Sequence, residues 1–185
     1  MKYQKIVQKP YCCVGACLEM VLNRHRIENK GQEDIAYQLG LTLPEEQRGN
    51  FKRARFGDRP IAGYGTRIQE EKYSIHNFFW KNKLPLIETY RYITDDKEAL
   101  EFLTKNRDND ILIIFHCGTL YRAPHADWGH MVLLEDIKDD KVTILDSSAK
   151  RDYETFSLKE LLEAIQYHGK EKGAGFYLIE RVEKE

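Results

Sequence analysis

The chain has 185 residues, 42% apolar and 32% charged, and its 29 basic and 30 acidic side chains give a net charge of -1. We expect a single domain over residues 1–185, since this length is that of one domain with a sizeable core. The near-neutral charge argues against a nucleic-acid-binding protein, which usually carries a basic excess. Neither a signal-peptide segment nor an apolar run near the roughly 20 residues that cross a bilayer is visible. We therefore expect a cytoplasmic protein with no membrane partner.

Cysteine usage is the first feature that points to chemistry. Three of the four cysteines lie within residues 12–17. In a chain of this size without a signal peptide, such a cluster indicates catalysis or metal binding rather than disulfides. Candidate ligands of a zinc site are Cys12, Cys13, Cys17, His116, Cys117 and His130. C-x-x-C pairs are absent, however, and the spacing is loose for structural zinc, so we expect no metal and no other cofactor.

The first third of the chain predicts two helices and an insertion. Apolar side chains from Val14 to Leu22 recur at helical spacing, so a helix is predicted to begin near Cys12 or Cys13 and to end near residues 23–25. A second, short helix is predicted over residues 32–39. Residues 41–71 are repeatedly broken by glycine and proline, which predicts an irregular insertion.

Beyond the insertion, the pattern changes from helices to strands. Helices are predicted over residues 73–81 and 95–105, and a third follows the capping box of Ser157 and Glu160. Strands are predicted over residues 84–93, 111–116, 130–136, 141–145 and 176–182. Helices that come mainly before strands predict an α+β fold rather than a doubly wound one.

Cys13 is predicted to lie in the first turn of the first helix. Free backbone N–H groups and the positive end of the helix dipole favour a thiolate there, and the thiolate is the nucleophilic form of cysteine. Cys17 lies one turn further on, on the apolar face, and is predicted to pack as a small hydrophobic side chain. Cys12 is left as the rival nucleophile.

A base and an orienting group follow on a predicted hairpin. His130 opens one strand, Asp146 closes the next, and Asp139-Asp140 forms the turn between them. Antiparallel pairing then places His130 beside Asp146 at one edge of the sheet, where the carboxylate fixes the imidazole tautomer. A nucleophilic cysteine needs both groups, so the sequence predicts a triad of Cys13, His130 and Asp146.

Three motifs resemble papain-like cysteine peptidases of the C39-like group. They are Cys13-Val-Gly-Ala-Cys-Leu-Glu-Met-Val-Leu22, which resembles the nucleophile helix, Gly129-His130-Met-Val, which resembles the histidine strand, and Leu145-Asp146-Ser147. The resemblance covers about residues 8–25 and 111–148. It departs from the family at Val14-Gly15, where Gly-Pro is usual.

The resemblance implies a fold, an activity and further site residues. The fold is papain-like, with the nucleophile helix packed on a C-terminal antiparallel sheet, and the activity is thiol hydrolysis of a peptide, isopeptide or other amide bond. A family glutamine that helps form the oxyanion hole matches Gln8, which precedes Cys13 by five positions where six is commoner. In the loop before His130, Trp128 and His125 are candidate substrate contacts.

Two alternatives use the same fold. An acyltransferase would use the same triad with an amine acceptor, and the sequence does not separate it from a hydrolase. A non-catalytic binding or regulatory module would keep the fold without turnover, with residues 41–71 occluding or remodelling the groove. The substrate within the peptide and amide class, and the oligomeric state, are left open.

Overall fold

The computed structural model describes residues 1–60 and 63–182. The α-helices are α1 (Cys13–Arg24), α2 (Gln32–Gln38), α3 (Ile75–Lys81), α4 (Asp96–Lys105), α5 (Cys117–Leu120) and α6 (Leu158–His168). The strands are β1 (Thr42–Leu43), β2 (Arg55–Phe56), β3 (Leu86–Arg91), β4 (Asp110–His116), β5 (Gly129–Lys138), β6 (Lys141–Leu145), β7 (Tyr153–Ser157) and β8 (Gly175–Arg181). Short 3-10 helices lie at Glu45–Asn50, Glu71–Tyr73 and Lys170–Lys172.

A six-stranded antiparallel sheet forms the centre of the fold, in the order β3-β8-β4-β5-β6-β7. Strand β4 is buried on both faces, and its side chains alternate between two cores, as the period of a strand requires. Leu112 and Ile114 belong to the core that also contains α1. Ile113 and Phe115 belong to the core that also contains α6. This arrangement confirms the predicted α+β class, with helices on both faces of an antiparallel sheet.

Helix α1, which begins at Cys13, owes its position to its sequence. Its apolar stripe buries Cys17, Leu18 and Val21 against β4 and β5. Its second side packs closely on α2, where a Cβ atom built on Gly15 would lie 2.3 Å from the backbone oxygen of Gln32. Only glycine permits this approach. The start of α1 is thereby held next to the end of the sheet that carries β5 and β6.

Most predicted elements agree with the structure to within two residues, and the differences have local causes. The helix predicted over residues 73–81 begins at Ile75, after a 3-10 turn. Outside the insertion, the short helix α5 and the strand β7 were not predicted. Cys117, which follows the strand predicted over residues 111–116, opens α5, and the side chain of His116 caps that helix.

The insertion over residues 41–71 is largely irregular, as expected, but it contains a small parallel pair of β1 and β2. Isoleucine 61 and alanine 62 of this segment lie outside the described residues. Leu41, Leu43 and Phe51 of the insertion form a separate small core with Cys12. The insertion is therefore anchored directly beside the start of α1.

No helix in the described ranges 1–60 and 63–182 is long and apolar enough to cross a bilayer.

Candidate active site

Cys13 is the first residue of α1, and its side chain is partly exposed. No acidic residue lies in the first turn, so the positive end of the helix dipole is not offset there. Burial acts to raise the pKa of Cys13, but the hydrogen bond and the positive charge of His130 outweigh it, so that the pKa lies below its ordinary value. Backbone groups of Met131 and Val14 lower it further. The structure thus places Cys13 close enough to His130 for the two side chains to shift each other's pKa.

His130 and Asp146 meet at the edge of the sheet through the β5–β6 hairpin. The pairing of Lys138 with Lys141 fixes the predicted turn, and a register shift after Leu134 adjusts the strands. Nε2 of His130 then lies 2.9 Å from Oδ1 of Asp146, which leaves Nδ1 as the ring nitrogen available to Cys13. Asp146 lies one residue beyond the end of β6 rather than on it.

The charges of this pair support each other. Burial lowers the pKa of His130, but the hydrogen bond to Asp146 and the contact with Cys13 raise it to about 10 overall. Burial raises the pKa of Asp146, and its hydrogen bond to His130 and the charge of that ring more than reverse the effect. An imidazolium between a thiolate and a carboxylate is the protonation state that these shifts favour.

Gln8 lies next to the residue that follows Asp146. Its backbone N–H donates to the carbonyl of Ser147 at 2.8 Å, and its Oε1 accepts from the hydroxyl of Ser147 at 2.7 Å. These contacts use the oxygen end of the amide and leave its NH2 group as a donor. Asp146 itself has a further contact that the sequence analysis missed, a hydrogen bond from the hydroxyl of Tyr121.

The other three cysteines have environments that disfavour a thiolate. Cys12 is fully buried among the residues that anchor the insertion, and burial raises its pKa to about 12. Cys17 is also fully buried, packs as predicted, and burial raises its pKa well above the ordinary value. Burial raises the pKa of Cys117 to about 11. Cys13 is therefore separated from its neighbours by its environment.

His116 is held by other contacts, and the two candidate substrate contacts are exposed. His116 is engaged, since its Nδ1 lies 2.8 Å from the hydroxyl of Thr119 and its Nε2 lies 3.0 Å from Oδ1 of Asp127. His125 and Trp128 lie on the loop between α5 and β5 and are exposed, Trp128 to 55%. Their role as substrate contacts stays a prediction.

Metal ligands do not converge in the part of the chain that the structure describes: there, no three His, Cys, Asp or Glu side chains form a group that could hold an ion. The candidate zinc ligands lie in different environments, because Cys12 packs in the small core of the insertion and His116 caps α5. What the cluster of Cys13, His130 and Asp146 offers is a polarised thiol beside a base.

Comparison with known proteins supplies the fold. No protein-family model and no curated protein matches the chain. A solved structure described as a C39-like peptidase from Bacillus anthracis matches with a TM-score of 0.61 at 15% identity, over 97% of this chain and 96% of that one. The chain has the fold of the C39-like, papain-like peptidases.

Two further structures share this C39-like fold. A double glycine motif protease from an AMS/PCAT transporter, solved in complex with a leader peptide, matches with a TM-score of 0.55 at 14% identity, over 98% of this chain and 93% of that one. The peptidase domain of Streptococcus ComA, a bifunctional ABC transporter involved in quorum sensing, matches with a TM-score of 0.55 at 11% identity, over 100% of both chains. The fold thus agrees with the resemblance seen in the sequence motifs.

Proposed function

We propose that this chain is a papain-like cysteine hydrolase that cleaves an amide bond, peptide or isopeptide, by means of Cys13, His130 and Asp146. The observation that carries the proposal is the 2.9 Å contact between Nε2 of His130 and Asp146, together with the opposite pKa shifts that His130 and Cys13 impose on each other. A nucleophile, a base and a group that orients the base are the parts that covalent acyl transfer needs.

The proposed acylation step follows from the protonation states. The Cys13 thiolate attacks the carbonyl carbon of the scissile amide and forms a C–S bond. The carbonyl oxygen becomes an oxyanion, for which the NH2 group of Gln8 and the backbone N–H of Cys13 are the proposed donors. When the C–N bond breaks, His130 gives its proton to the leaving amine. The products of this step are a free amine and a thioester on Cys13.

Deacylation reverses the roles of the groups. Neutral His130 takes a proton from water, whose oxygen attacks the thioester carbon, and the C–S bond breaks to release a carboxylic acid and restore the thiolate. Throughout, Asp146 holds His130 in one orientation. An acyltransferase would differ only at this step, with an amine in place of water.

A peptide is the proposed substrate, and one solved neighbour of the same fold was captured with a leader peptide. Trp128 and His125 are the proposed contacts on the loop that precedes His130. The chemistry also requires a reduced Cys13, which the proposed cytoplasmic location would maintain.

The test has two arms. In the first, native protein is treated with limiting iodoacetamide, and each cysteine is scored by peptide mass spectrometry. Cys13 should be modified first, and more slowly after His130→Ala. In the second, a library of peptides and isopeptides is incubated with wild type and with Cys13→Ala, with Cys12→Ala as the matched control. Cleavage that Cys13→Ala abolishes and Cys12→Ala retains is expected.

The outcomes separate the hypotheses. A ligated rather than hydrolysed product in the presence of added amine would indicate an acyltransferase. Preferential alkylation of Cys13 without any cleavage would favour the binding module. Equal alkylation of Cys12 and Cys13 would refute the assignment of the nucleophile.

A further inference from the structure

The surroundings of Asp146 are completed by a side chain outside the triad. Tyr121 follows the last residue of α5 and lies 2.5 Å from Oδ2 of Asp146 through its hydroxyl, which donates. The other carboxylate oxygen, Oδ1, accepts from Nε2 of His130 and from the backbone N–H of Ser148 at 2.7 Å. Asp146 has no exposed surface, so water cannot hydrate its carboxylate. These donors take the place of that water.

The ring of Tyr121 is held by packing. Phe115 contacts it edge-on with ring centroids 5.6 Å apart, and Phe156 lies at 5.8 Å. The guanidinium of Arg151 covers one face of the ring at 3.6 Å and is itself tied to Glu154 at 2.7 Å. A ring confined in this way has little freedom to turn its hydroxyl away from the carboxylate.

The hydroxyl of Tyr121 is a permanent donor. Burial and the negative charge of Asp146 raise the pKa of Tyr121 far above its ordinary value, so that the side chain stays protonated over the whole working range. A hydrogen bond to an ionised group is about twice as strong as one between neutral groups. The Tyr121 hydroxyl therefore favours the ionised form of Asp146.

We propose that Tyr121 is a positioning residue, whose hydroxyl keeps Asp146 ionised and oriented so that His130 stays paired with Cys13. The role of Tyr121 in catalysis rests on the proposed function. The direct effect of Tyr121 is on the pKa of the Cys13 thiol. Without the hydroxyl, Asp146 takes up a proton at a higher pH. The imidazolium then loses its counter-charge, and the thiolate of Cys13 forms only at a higher pH.

The other groups near this chain of contacts are part of the same electrostatic environment. Besides His130 and Tyr121, Asp146 is faced by Cys17, Cys117 and Arg151. Tyr121 is faced in addition by Glu154. Apart from the His130 imidazolium, the cation in this set is Arg151, whose guanidinium lies over the ring of Tyr121. Substitution of Tyr121 by Phe changes none of these charges.

The experiment measures the pH dependence of Cys13 alkylation. Wild type, Tyr121→Phe and Tyr90→Phe are treated with iodoacetamide from acid to neutral pH, and the rate at each cysteine is followed by peptide mass spectrometry. Tyr90 is the matched control, because its hydroxyl donates to the carbonyl of Ala174 at 2.7 Å, away from Asp146. We expect the acid midpoint of Cys13 alkylation to rise by about one pH unit in Tyr121→Phe, with about a tenfold lower rate below the midpoint. Tyr90→Phe should leave the midpoint unchanged.

A second background tests that Tyr121 acts through Asp146. In Asp146→Asn protein, Tyr121→Phe should produce no further shift, since the charge that it supports is gone. An unchanged midpoint in Tyr121→Phe, a profile of Cys13 without an acid limb, or an equal shift in the Asp146→Asn background would each overturn the inference. If Tyr121→Phe shifts the midpoint of Cys13 alkylation but wild type cleaves no peptide, the inference stands and the proposed function is refuted. If wild type cleaves peptide but Tyr121→Phe leaves the midpoint unshifted, the proposed function stands and the inference is refuted.

Discussion

Gln8 and Ser147 are joined by two hydrogen bonds across 139 positions of sequence, one from the Gln8 backbone N–H to the Ser147 carbonyl and one from the Ser147 hydroxyl to Oε1 of Gln8. Ser147 directly follows Asp146, so the proposed oxyanion donor and the proposed orienting carboxylate are held by the same short segment after β6. The two parts of the site therefore keep a fixed geometry without a ligand.

The amide of Gln8 should act mainly in the transition state. Gln8→Ala is expected to lower kcat by about 10²–10³-fold with little change in KM, because oxyanion donors bind the charge that develops during reaction. Ser147→Ala keeps the amide but removes its anchor, and should lower kcat by about 10-fold to 100-fold. Steady-state kinetics on a peptide identified by the library experiment measures both.

Ser148→Ala provides the control for these two variants. Ser148 contacts Asp146 through its backbone N–H, which alanine retains, so kcat should stay within about twofold of wild type on the scale of surface substitutions. If Gln8→Ala raised KM and left kcat unchanged, Gln8 would be a ground-state contact rather than an oxyanion donor.

The opposite pKa shifts of Cys13 and His130 predict the pH profile of the proposed peptidase activity. The thiol pKa of Cys13 is lowered, so kcat/KM should rise with pH through a limb below the ordinary cysteine value. His130 has its pKa raised to about 10, and the activity should fall as the pH rises through that value, since neutral His130 has no proton for the leaving amine. A plateau from neutral pH to above pH 10 would contradict His130 as the general acid.

Removal of the Asp146 charge should narrow the pH range over which kcat/KM is high. Asp146→Asn keeps a hydrogen-bond acceptor for His130 but not the charge that raises the pKa of the imidazole. The alkaline limb is therefore expected to move down by about one pH unit or more. Asp146→Ala loses the orientation as well, and should lower kcat/KM by about 10²–10³-fold at the optimum. Identical alkaline limbs in wild type and Asp146→Asn would show that the carboxylate does not support the imidazolium.

The elements that positioned the triad were predictable because their signals are local. The apolar stripe of α1 and its start after Pro10 place Cys13, and one hairpin turn at Asp139 fixes which residues of β5 and β6 meet. The turn gave the approximate pairing, and the register shift after Leu134, which the sequence did not indicate, completes the approach of His130 to Asp146. The short elements α5 and β7 were missed because neither stands on a local signal alone. One is a single turn held by the His116 cap, and the other is a half-buried edge strand defined by its pairing with β6.

The supporting contacts of the site were not predictable for a related reason. The partners of Tyr121 and Ser147 lie 25 and 139 positions away in the sequence, so that tertiary packing and not local spacing joins them. Nothing in the spacing of Tyr121 and Asp146, which are 25 positions apart, distinguishes this tyrosine from the chain's other ten. The insertion is a similar case, since its contacts with Cys12 follow from a separate small core.

Cys12 is expected to matter for stability and not for reactivity. Its sulfur is fully buried with Leu41, Leu43 and Phe51, so Cys12→Ala leaves a small cavity and should lower the free energy of unfolding by about 1 kcal/mol. The rate of Cys13 alkylation should be unchanged. Urea unfolding and the alkylation assay check the two expectations on the same sample. A large fall in Cys13 alkylation with unchanged stability would instead assign Cys12 a part in the chemistry.

Gly15, the single glycine of α1, is expected to tolerate alanine poorly. Alanine has the higher helix propensity, by about 1 kcal/mol, so an isolated helix would gain stability. Here the added Cβ would lie 2.3 Å from the backbone oxygen of Gln32 and 3.0 Å from Cβ of Ala36, and backbone cannot move aside as a flexible side chain does. Gly15→Ala must therefore push α1 from α2, at a net cost of about 1–3 kcal/mol in unfolding free energy.

Because α1 carries Cys13, the same shift should also lower the rate of Cys13 alkylation, by about tenfold or more if the thiol moves by an ångström from His130. Gly49→Ala is the matched control: its Cβ would meet no atom within 4 Å, so unfolding free energy should change by less than about 0.5 kcal/mol. Urea midpoints for the two variants, with alkylation rates measured beside them, make the comparison. Equal midpoints would mean that α1 and α2 are not in the close contact that we infer to position Cys13.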